Sequence, residues 1–292
     1  MILVAGSTGA LGSEIVRQLR ERGESVRGLV RATTAPEKVA RLQDMGAETT
    51  TGNLRDRASL DEAVRGARTV ISTVSIIGSA QEGDSFTDTD AAGNISLIDA
   101  AKAAGVEHFI FVSFDGSSFP DTPLFEAKVA VDSYLRSSGI GYTILHPPPF
   151  MEVWLGPMLF GDPSSGPVKV YGRGDGKVPY ISSRDVASVV VHAVTKPSAR
   201  NKTIAFGGPE GITQREVVRT FEEAYGKPVE VAEVPEQALE AQWKSARNPF
   251  EKTFAGLMLG LARFDADPPS NPDLPIRTTV REFARSRAGA AS

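Results

Sequence analysis

The 292-residue chain has no cysteine, which excludes disulfides, thiolate-bound metals and a cysteine nucleophile together. Histidine is scarce: His108, His146 and His192 lie far apart, so a histidine-built metal site is not expected. An excess of one charge is also missing. The 32 Lys and Arg stand against 36 Asp and Glu, and a net charge of −4 gives nucleic acid or a membrane surface no electrostatic footprint. No apolar run is long enough to span a bilayer, and the chain starts straight into a strand with no room for a signal peptide. These absences lead us to expect a soluble, cytoplasmic protein. What remains is an ordinary globular balance of 41% hydrophobic and 23% charged residues, enough for one large α/β domain or a main domain with a smaller one.

The order of elements is regular at first. An apolar run from Ile2 to Ala5 stops at Gly6, and a helical pattern from Leu11 through Ile15, Val16 and Leu19 ends at Gly23. Strands are expected at 25–30, 47–51, 69–74, 108–113 and 142–146, with helices between them near 36–46, 58–65, 90–104 and 123–137. Strict alternation with mostly apolar strands implies a doubly wound parallel sheet covered by helices on both faces, the Rossmann class of α/β fold. From Pro147-Pro148-Pro149 the texture changes, and 156–176 is rich in Gly, Pro and Ser. Helices at 184–195, 213–225, 235–244, 249–262 and 276–285 and a strand at 203–206 follow, and the small-residue tail is expected to fray. The division implied is a nucleotide-binding domain at 1–150 to which 180–206 returns. A smaller C-terminal substrate lobe then takes in 151–179 and 207–292.

The most informative segment is Gly6-Ser7-Thr8-Gly9-Ala10-Leu11-Gly12, between the first strand and the first helix. One glycine permits the tight turn, the next lets the backbone approach a pyrophosphate, and the third lets helix and strand pack closely. The helix N-terminus offers free N–H groups and positive potential to the phosphate. The spacing is one residue wider than the plain dinucleotide fingerprint, and its position between strand and helix gives it weight. After the second strand an NAD site usually carries an acid for the ribose 2′-hydroxyl. Here Val30 is followed by Arg31, and no acid occurs before Glu37. A guanidinium pairs with a 2′-phosphate where a carboxylate would repel it, so NADP(H) is expected over NAD(H). Asn53 and Leu54 fall where the adenine edge would lie, and Ser72, Thr73 and Val74 would border the ribose and nicotinamide.

Several segments together resemble one family: the N-terminal G-x-T-G-x-x-G, Gly52-Asn53-Leu54-Arg55-Asp56, Ala92-Gly93-Asn94 through Gly105-Val106, Tyr142 to Pro147 with Phe150, and Ile181-Ser182-Ser183-Arg184-Asp185-Val186-Ala187. The chain is similar to the NmrA-like branch of the atypical short-chain dehydrogenase/reductases, near the isoflavone-reductase-like and HSCARG groups. That family holds quinone and enone reductases, ether-cleaving reductases and NADP-binding regulators. Two departures stand out. Where the wider superfamily has Y-x-x-x-K, this chain has Phe125-Glu126-Ala127-Lys128, so the tyrosine proton donor is gone and the lysine stays. His146 stands before the proline where this branch commonly has arginine.

The resemblance implies that Lys128 faces the nicotinamide, binding ribose hydroxyls or giving a proton if burial lowers its pKa; the alternative is a solvated helix lysine. Ser113 matches a carbonyl-polarising serine, or else satisfies local backbone groups. His146 is a proton-donor candidate, or a buried histidine bonded to backbone. Pro147 and Phe150 match residues beside the nicotinamide. Met151, Trp154 and Tyr180 are candidates for an apolar substrate pocket, Tyr180 also as a stand-in hydroxyl; Met151 and Trp154 would equally suit a buried lobe interface. The loop 75–88 is a candidate lid. The reading that follows is an NADPH-dependent reductase of a small apolar carbonyl compound: a quinone, a conjugated enone or an aromatic polyketide-type intermediate. The alternative is a non-catalytic NADP(H)-binding redox sensor with a regulatory protein partner, and an epimerase that keeps its nicotinamide ranks behind both. A homodimer is compatible with either, and no metal is expected.

Overall fold

A computed structural model describes residues 1–290, and its chain divides into two compact units. The first unit comprises Met1–Phe114, Leu124–His146 and Val186–Ile204; the second comprises Asp115–Pro123, Pro147–Asp185 and Ala205–Ser292.

The first unit is built on strands β1 (Ile2–Ala5), β2 (Val26–Val30), β3 (Glu48–Thr51), β4 (Thr69–Ser72), β5 (His108–Val112), and β6 (Tyr142–His146), with helices α1 (Ala10–Glu21), α2 (Pro36–Asp44), α3 (Arg57–Ala63), α4 (Asn94–Ala103) and α5 (Pro123–Ser137). The sheet order is β3-β2-β1-β4-β5-β6, all parallel, with β9 (Lys202–Ala205) added beside β6. Every residue of β1, β4 and β5 is buried, as the continuous apolar runs require of strands covered on both faces. The edge strand β3 is Glu-Thr-Thr-Thr and partly exposed, a composition that discourages further pairing. Chain order reverses between β1 and β4. In open parallel sheets the carboxyl ends at such a switch point form the ligand crevice.

Local chemistry explains the helix ends. Pro36 occupies the first turn of α2, where no N–H is needed. Asp56, last in the Gly-Asn-Leu-Arg-Asp segment, caps α3 by accepting the Ala58 and Ser59 N–H groups. Before α4 the expected lid loop is shorter than the sequence suggests: from Phe86 to Gly93 the chain is wound as π-helix and runs straight into Asn94. The wide turns free backbone acceptors, and the Asn94 amide donates to the Asp90 carbonyl at 2.8 Å. Gly93 is needed because a Cβ there would lie 2.8 Å from Leu54 Cβ.

The second unit holds two small strand pairs the sequence did not announce. Strand β7 (Val168–Tyr171) runs parallel to β11 (Val231–Val234), and β8 (Lys177–Val178) runs antiparallel to β10 (Ile212–Thr213). Helices α6 (Met151–Trp154), α8 (Gln214–Tyr225), α9 (Glu236–Ser245), α10 (Pro249–Arg263) and α11 (Val280–Ala290) complete it. Its core gathers Phe160 against Phe221 at 4.9 Å between ring centroids, with Tyr171, Val217, Leu259 and Leu261 around them. Thr213 and Glu216 form a reciprocal capping box on α8, and Gly226 ends that helix at φ 66°. The Ser182-Ser183-Arg184-Asp185 stretch opens α7 (Ser183–Thr195), and its Asp185 carboxylate accepts the N–H groups of Arg277 and Thr278 at 3.1 and 2.7 Å. The last helix starts four residues later than expected and continues to Ala290. Of the tail expected to fray, residues 291 and 292 lie outside the described residues.

Candidate active site

The three loop glycines have different reasons to be glycine. Gly6 sits at φ +82°, and a Cβ on it would meet Thr73 Oγ1 at 2.5 Å. A Cβ on Gly12 would lie 2.1 Å from the Gly6 carbonyl oxygen, so only glycine lets α1 start this close to the turn. Gly9 is unlike both. It is exposed, its φ of −76° suits any residue, and a Cβ would make only an ordinary 3.4 Å contact. The fold does not require glycine there, whereas a pyrophosphate approaching the backbone does. Gly9 also caps α1 without a side chain, which leaves the first-turn N–H groups of Ala10, Leu11 and Gly12 without a side-chain acceptor. A dinucleotide phosphate fits this turn.

Around it, the side chains are fixed from behind. Ser7 is fully buried, and its hydroxyl donates to the Leu29 carbonyl at 2.9 Å, so it ties the loop to β2 and leaves backbone to face outward. Gly28 makes room for that hydroxyl, since a Cβ there would sit 2.9 Å from it. Thr8 is half-buried and Leu11 likewise. The Asn53 side chain accepts the Arg55 N–H at 3.0 Å, and Leu54 is buried. Thr73 closes on β1 through its N–H and hydroxyl, both donating to the Ala5 carbonyl. Ser72 faces the core, and its hydroxyl donates to Asn94 Oδ1 at 2.6 Å.

Arg31 is paired at the end of β2. Its Nη1 donates to Asp84 Oδ2 at 2.8 Å and its Nη2 to the Ser79 carbonyl at 3.1 Å, so the loop after β4 is pinned to the end of β2. Burial would raise the Asp84 carboxyl. Hydrogen bonds from the Gln81 N–H, the Thr89 hydroxyl and Arg31 outweigh that and hold it below the usual carboxylate range.

Lys128, on α5, is only 6% exposed, which rules out the solvated-lysine alternative. Its Nζ donates to the carbonyls of Val112 at 3.1 Å and Val74 at 3.4 Å, and lies 4.6 Å over the Phe111 ring. Burial pushes its pKa down, against the opposing fields of Asp90 and Asp132. Asp90 is itself fully buried, and burial raises its carboxyl while Lys128 works the other way; one of its oxygens accepts the Ile76 N–H at 3.0 Å. Ser113 is 5% exposed, and its hydroxyl has no hydrogen-bond partner among the described residues, so it does not serve local backbone. His146 Nε2 lies 2.9 Å from Asp132 Oδ2, a carboxylate partner in place of the backbone partner considered above. The other Asp132 oxygen is buried with no hydrogen-bond partner among the described residues.

Sequence reasoning therefore missed Asp84, Asp90, Asn94 and Asp132. A signal existed for three of them. Asp90 and Asn94 are four apart, as are Lys128 and Asp132, a spacing that places two polar side chains on one helix face.

The remaining candidates belong to the second unit. Phe150 bridges to Ile181, and Pro147 precedes it in the same unit. Met151, Trp154 and Tyr180 join that unit's core. Trp154 and Tyr180 line, with Tyr171, Gln214 and Leu261, a cavity of about 10 Å³, room for one water at most. Burial pushes the Tyr180 phenol well above the ordinary tyrosine range, so it holds its proton at neutral pH. Among the described residues no cluster of His, Asp and Glu is placed to hold a metal ion, and no helix is long and apolar enough to cross a membrane.

Comparison with known proteins supports the same grouping. The chain is 32% identical over 245 residues to the NAD(P)H azoreductase of Xenophilus azovorans, covering 82% of this chain and 80% of that one. It is 30% identical over 238 residues to the photosystem II assembly factor Ycf39 of Synechocystis, covering 80% and 70%. Its fold superposes with a TM-score of 0.78 on the NADPH-dependent quinone oxidoreductase of Escherichia coli solved with NADPH, at 21% identity over 98% of this chain and 99% of that one. The profile of the NmrA-like family matches residues 1–257, and the chain belongs to that family.

Proposed function

We propose that this protein is an NADP(H)-dependent reductase acting on a small, apolar carbonyl compound: a quinone, a conjugated enone or an aromatic polyketide-type intermediate. The observation that carries the reading is the state of Lys128. An ammonium has three protons to donate, and among the described residues two carbonyls accept from it, with the Phe111 ring 4.6 Å away. The third is left for a ligand, in the same unit as a Ser113 hydroxyl that is buried and unbonded. Buried donors without partners are costly, and a ligand oxygen is what relieves the cost.

In this reading Gly6 to Gly12 and the open first turn of α1 hold the pyrophosphate, and Arg31 holds the 2′-phosphate. Asn53 and Leu54 border the adenine, Thr73 and Val74 the ribose. Ser72 supports this edge from behind through Asn94. A reduced nicotinamide supplies hydride. Lys128 and Ser113 are then the groups that bind ribose or substrate oxygen and polarise a carbonyl, while Asp132 orients His146 as a proton source. Quinones and enones suit a site without a tyrosine acid, because conjugation spreads the charge left after hydride addition. The azoreductase relative, whose name places it among NAD(P)H-dependent enzymes, supports reduction as the reaction class.

A second reading has its own observation. Phe125 packs on Phe114 at 5.8 Å between ring centroids, an apolar contact where the wider superfamily keeps its tyrosine hydroxyl. An NADP(H)-binding regulator with a protein partner would need no acid there, and one relative is named as an assembly factor. Measuring NADPH oxidation against a panel of quinones and enones, beside NADPH binding, separates the two. Turnover supports the reductase; tight binding with none across the panel supports the regulator.

A further inference from the structure

Three segments of the first unit converge on one carboxylate. Asp84 accepts from Arg31 Nη1 at 2.8 Å, from the Gln81 N–H at 2.9 Å and from the Thr89 hydroxyl at 3.0 Å, and Arg55 Nε lies 3.8 Å away. Two more bonds fasten the same loop: Arg55 Nη1 donates to the Gly83 carbonyl at 2.7 Å, and Thr33 Oγ1 donates to Gln81 Oε1 at 2.7 Å. The Asp84 side chain is 4% exposed, whereas Arg31 keeps 33% of its side chain open to solvent. This is an anion site with two guanidiniums, an N–H and a hydroxyl, and the chain's own carboxylate fills it.

We propose that Asp84 is a specificity-determining residue that competes in cis for Arg31 against a 2′-phosphorylated nucleotide. The inference rests on the NADP(H) reading above. Two anions do not share one guanidinium face without repulsion, so a 2′-phosphate that takes Arg31 must displace the carboxylate. An unphosphorylated ribose carries no charge to contest the pair. Asp84 therefore narrows the preference for NADP(H) over NAD(H). Its displacement also loosens segment 79–84, which then loses its Arg31 anchor and keeps the Arg55–Gly83 and Thr33–Gln81 bonds.

The test uses the full chain and two nucleotides that cannot undergo redox chemistry, 2′,5′-ADP and 5′-ADP, titrated by calorimetry into wild type and Asp84→Asn. Asp84→Asn is expected to bind 2′,5′-ADP about tenfold more tightly, the worth of one partly exposed charge-assisted bond. Its affinity for 5′-ADP should change less than about twofold. In wild type, hydrogen exchange of 79–84 should quicken on adding 2′,5′-ADP and not 5′-ADP, a readout that needs no variant. Equal or weaker 2′,5′-ADP binding by Asp84→Asn, or unchanged exchange in wild type, overturns the competition while leaving the cofactor reading intact. Wild type that binds neither nucleotide overturns both.

Discussion

His108 lies outside the site, yet its environment predicts a measurable pH response of the fold. Its Nε2 is 2.8 Å from Thr143 Oγ1, and the threonine hydroxyl donates to the Ala199 carbonyl at 2.9 Å. A hydroxyl whose proton is engaged can only accept, so Nε2 carries the imidazole hydrogen and Nδ1 is bare. Nδ1 is buried with no hydrogen-bond partner among the described residues, in a residue 1% exposed. Protonation would place a charge there with no acceptor. Burial first, then the fields of Arg200 and Arg68, pushes the pKa from 6.5 down to about 4. The unfolded chain takes this proton near 6.5 and the folded chain resists it. Stability from this group is thus full above 6.5 and is lost as pH falls toward 4. At about 1.4 kcal/mol per pH unit the interval amounts to about 3 kcal/mol, with about 2 kcal/mol gone by pH 5. Urea unfolding near pH 7.5 and pH 5 in wild type and His108→Gln measures it, since glutamine keeps a donor for Thr143 and takes no proton. Wild type should lose about 2 kcal/mol more than the variant over that range. Equal losses in the two proteins would refute the assignment of the bare nitrogen.

Other outcomes follow from the site. Gly9→Ala should change folding stability by no more than about 1 kcal/mol while weakening NADPH binding more than tenfold in a fluorescence titration. Gly12→Ala, whose Cβ would lie 2.1 Å from a backbone oxygen, should instead show its loss in thermal unfolding. Arg31→Ala should weaken NADPH binding by about tenfold or more and leave NADH nearly unchanged. Lys128→Met leaves the buried Asp90 and Asp132 carboxyls and two carbonyls without their cationic partner, so stability should fall by about 3 kcal/mol in urea unfolding. Unchanged stability would mean that the folded protein does not rely on the Lys128 charge to hold Asp90 and Asp132.

The Rossmann half was legible because its signals are local. The apolar runs 2–5 and 108–112, Pro36 at a helix start and the glycines at 6 and 12 each dictate structure within a few residues. The strand pairs β7–β11 and β8–β10 were not legible. They are two to four residues long, lie in or beside Gly- and Pro-rich sequence, and gain their hydrogen bonds from partners far along the chain. The site divides the same way. Arg31 and Lys128 could be singled out by position, but what they touch could not: Asp84 lies 53 residues from Arg31, and the carbonyl that Lys128 reaches at Val74 lies 54 residues from it. The π-helical winding from Phe86 to Gly93 was not legible either, since the sequence reads there as the end of a loop at 88 and an ordinary helix from Asp90.

The most direct test of the central claim is turnover of a quinone or enone by Lys128→Met, with NADPH binding measured on the same preparation. If Lys128 presents its third proton to the reacting ligand, turnover falls by about a hundredfold or more while the protein stays folded and still binds NADPH. Turnover at the wild-type rate would contradict that claim.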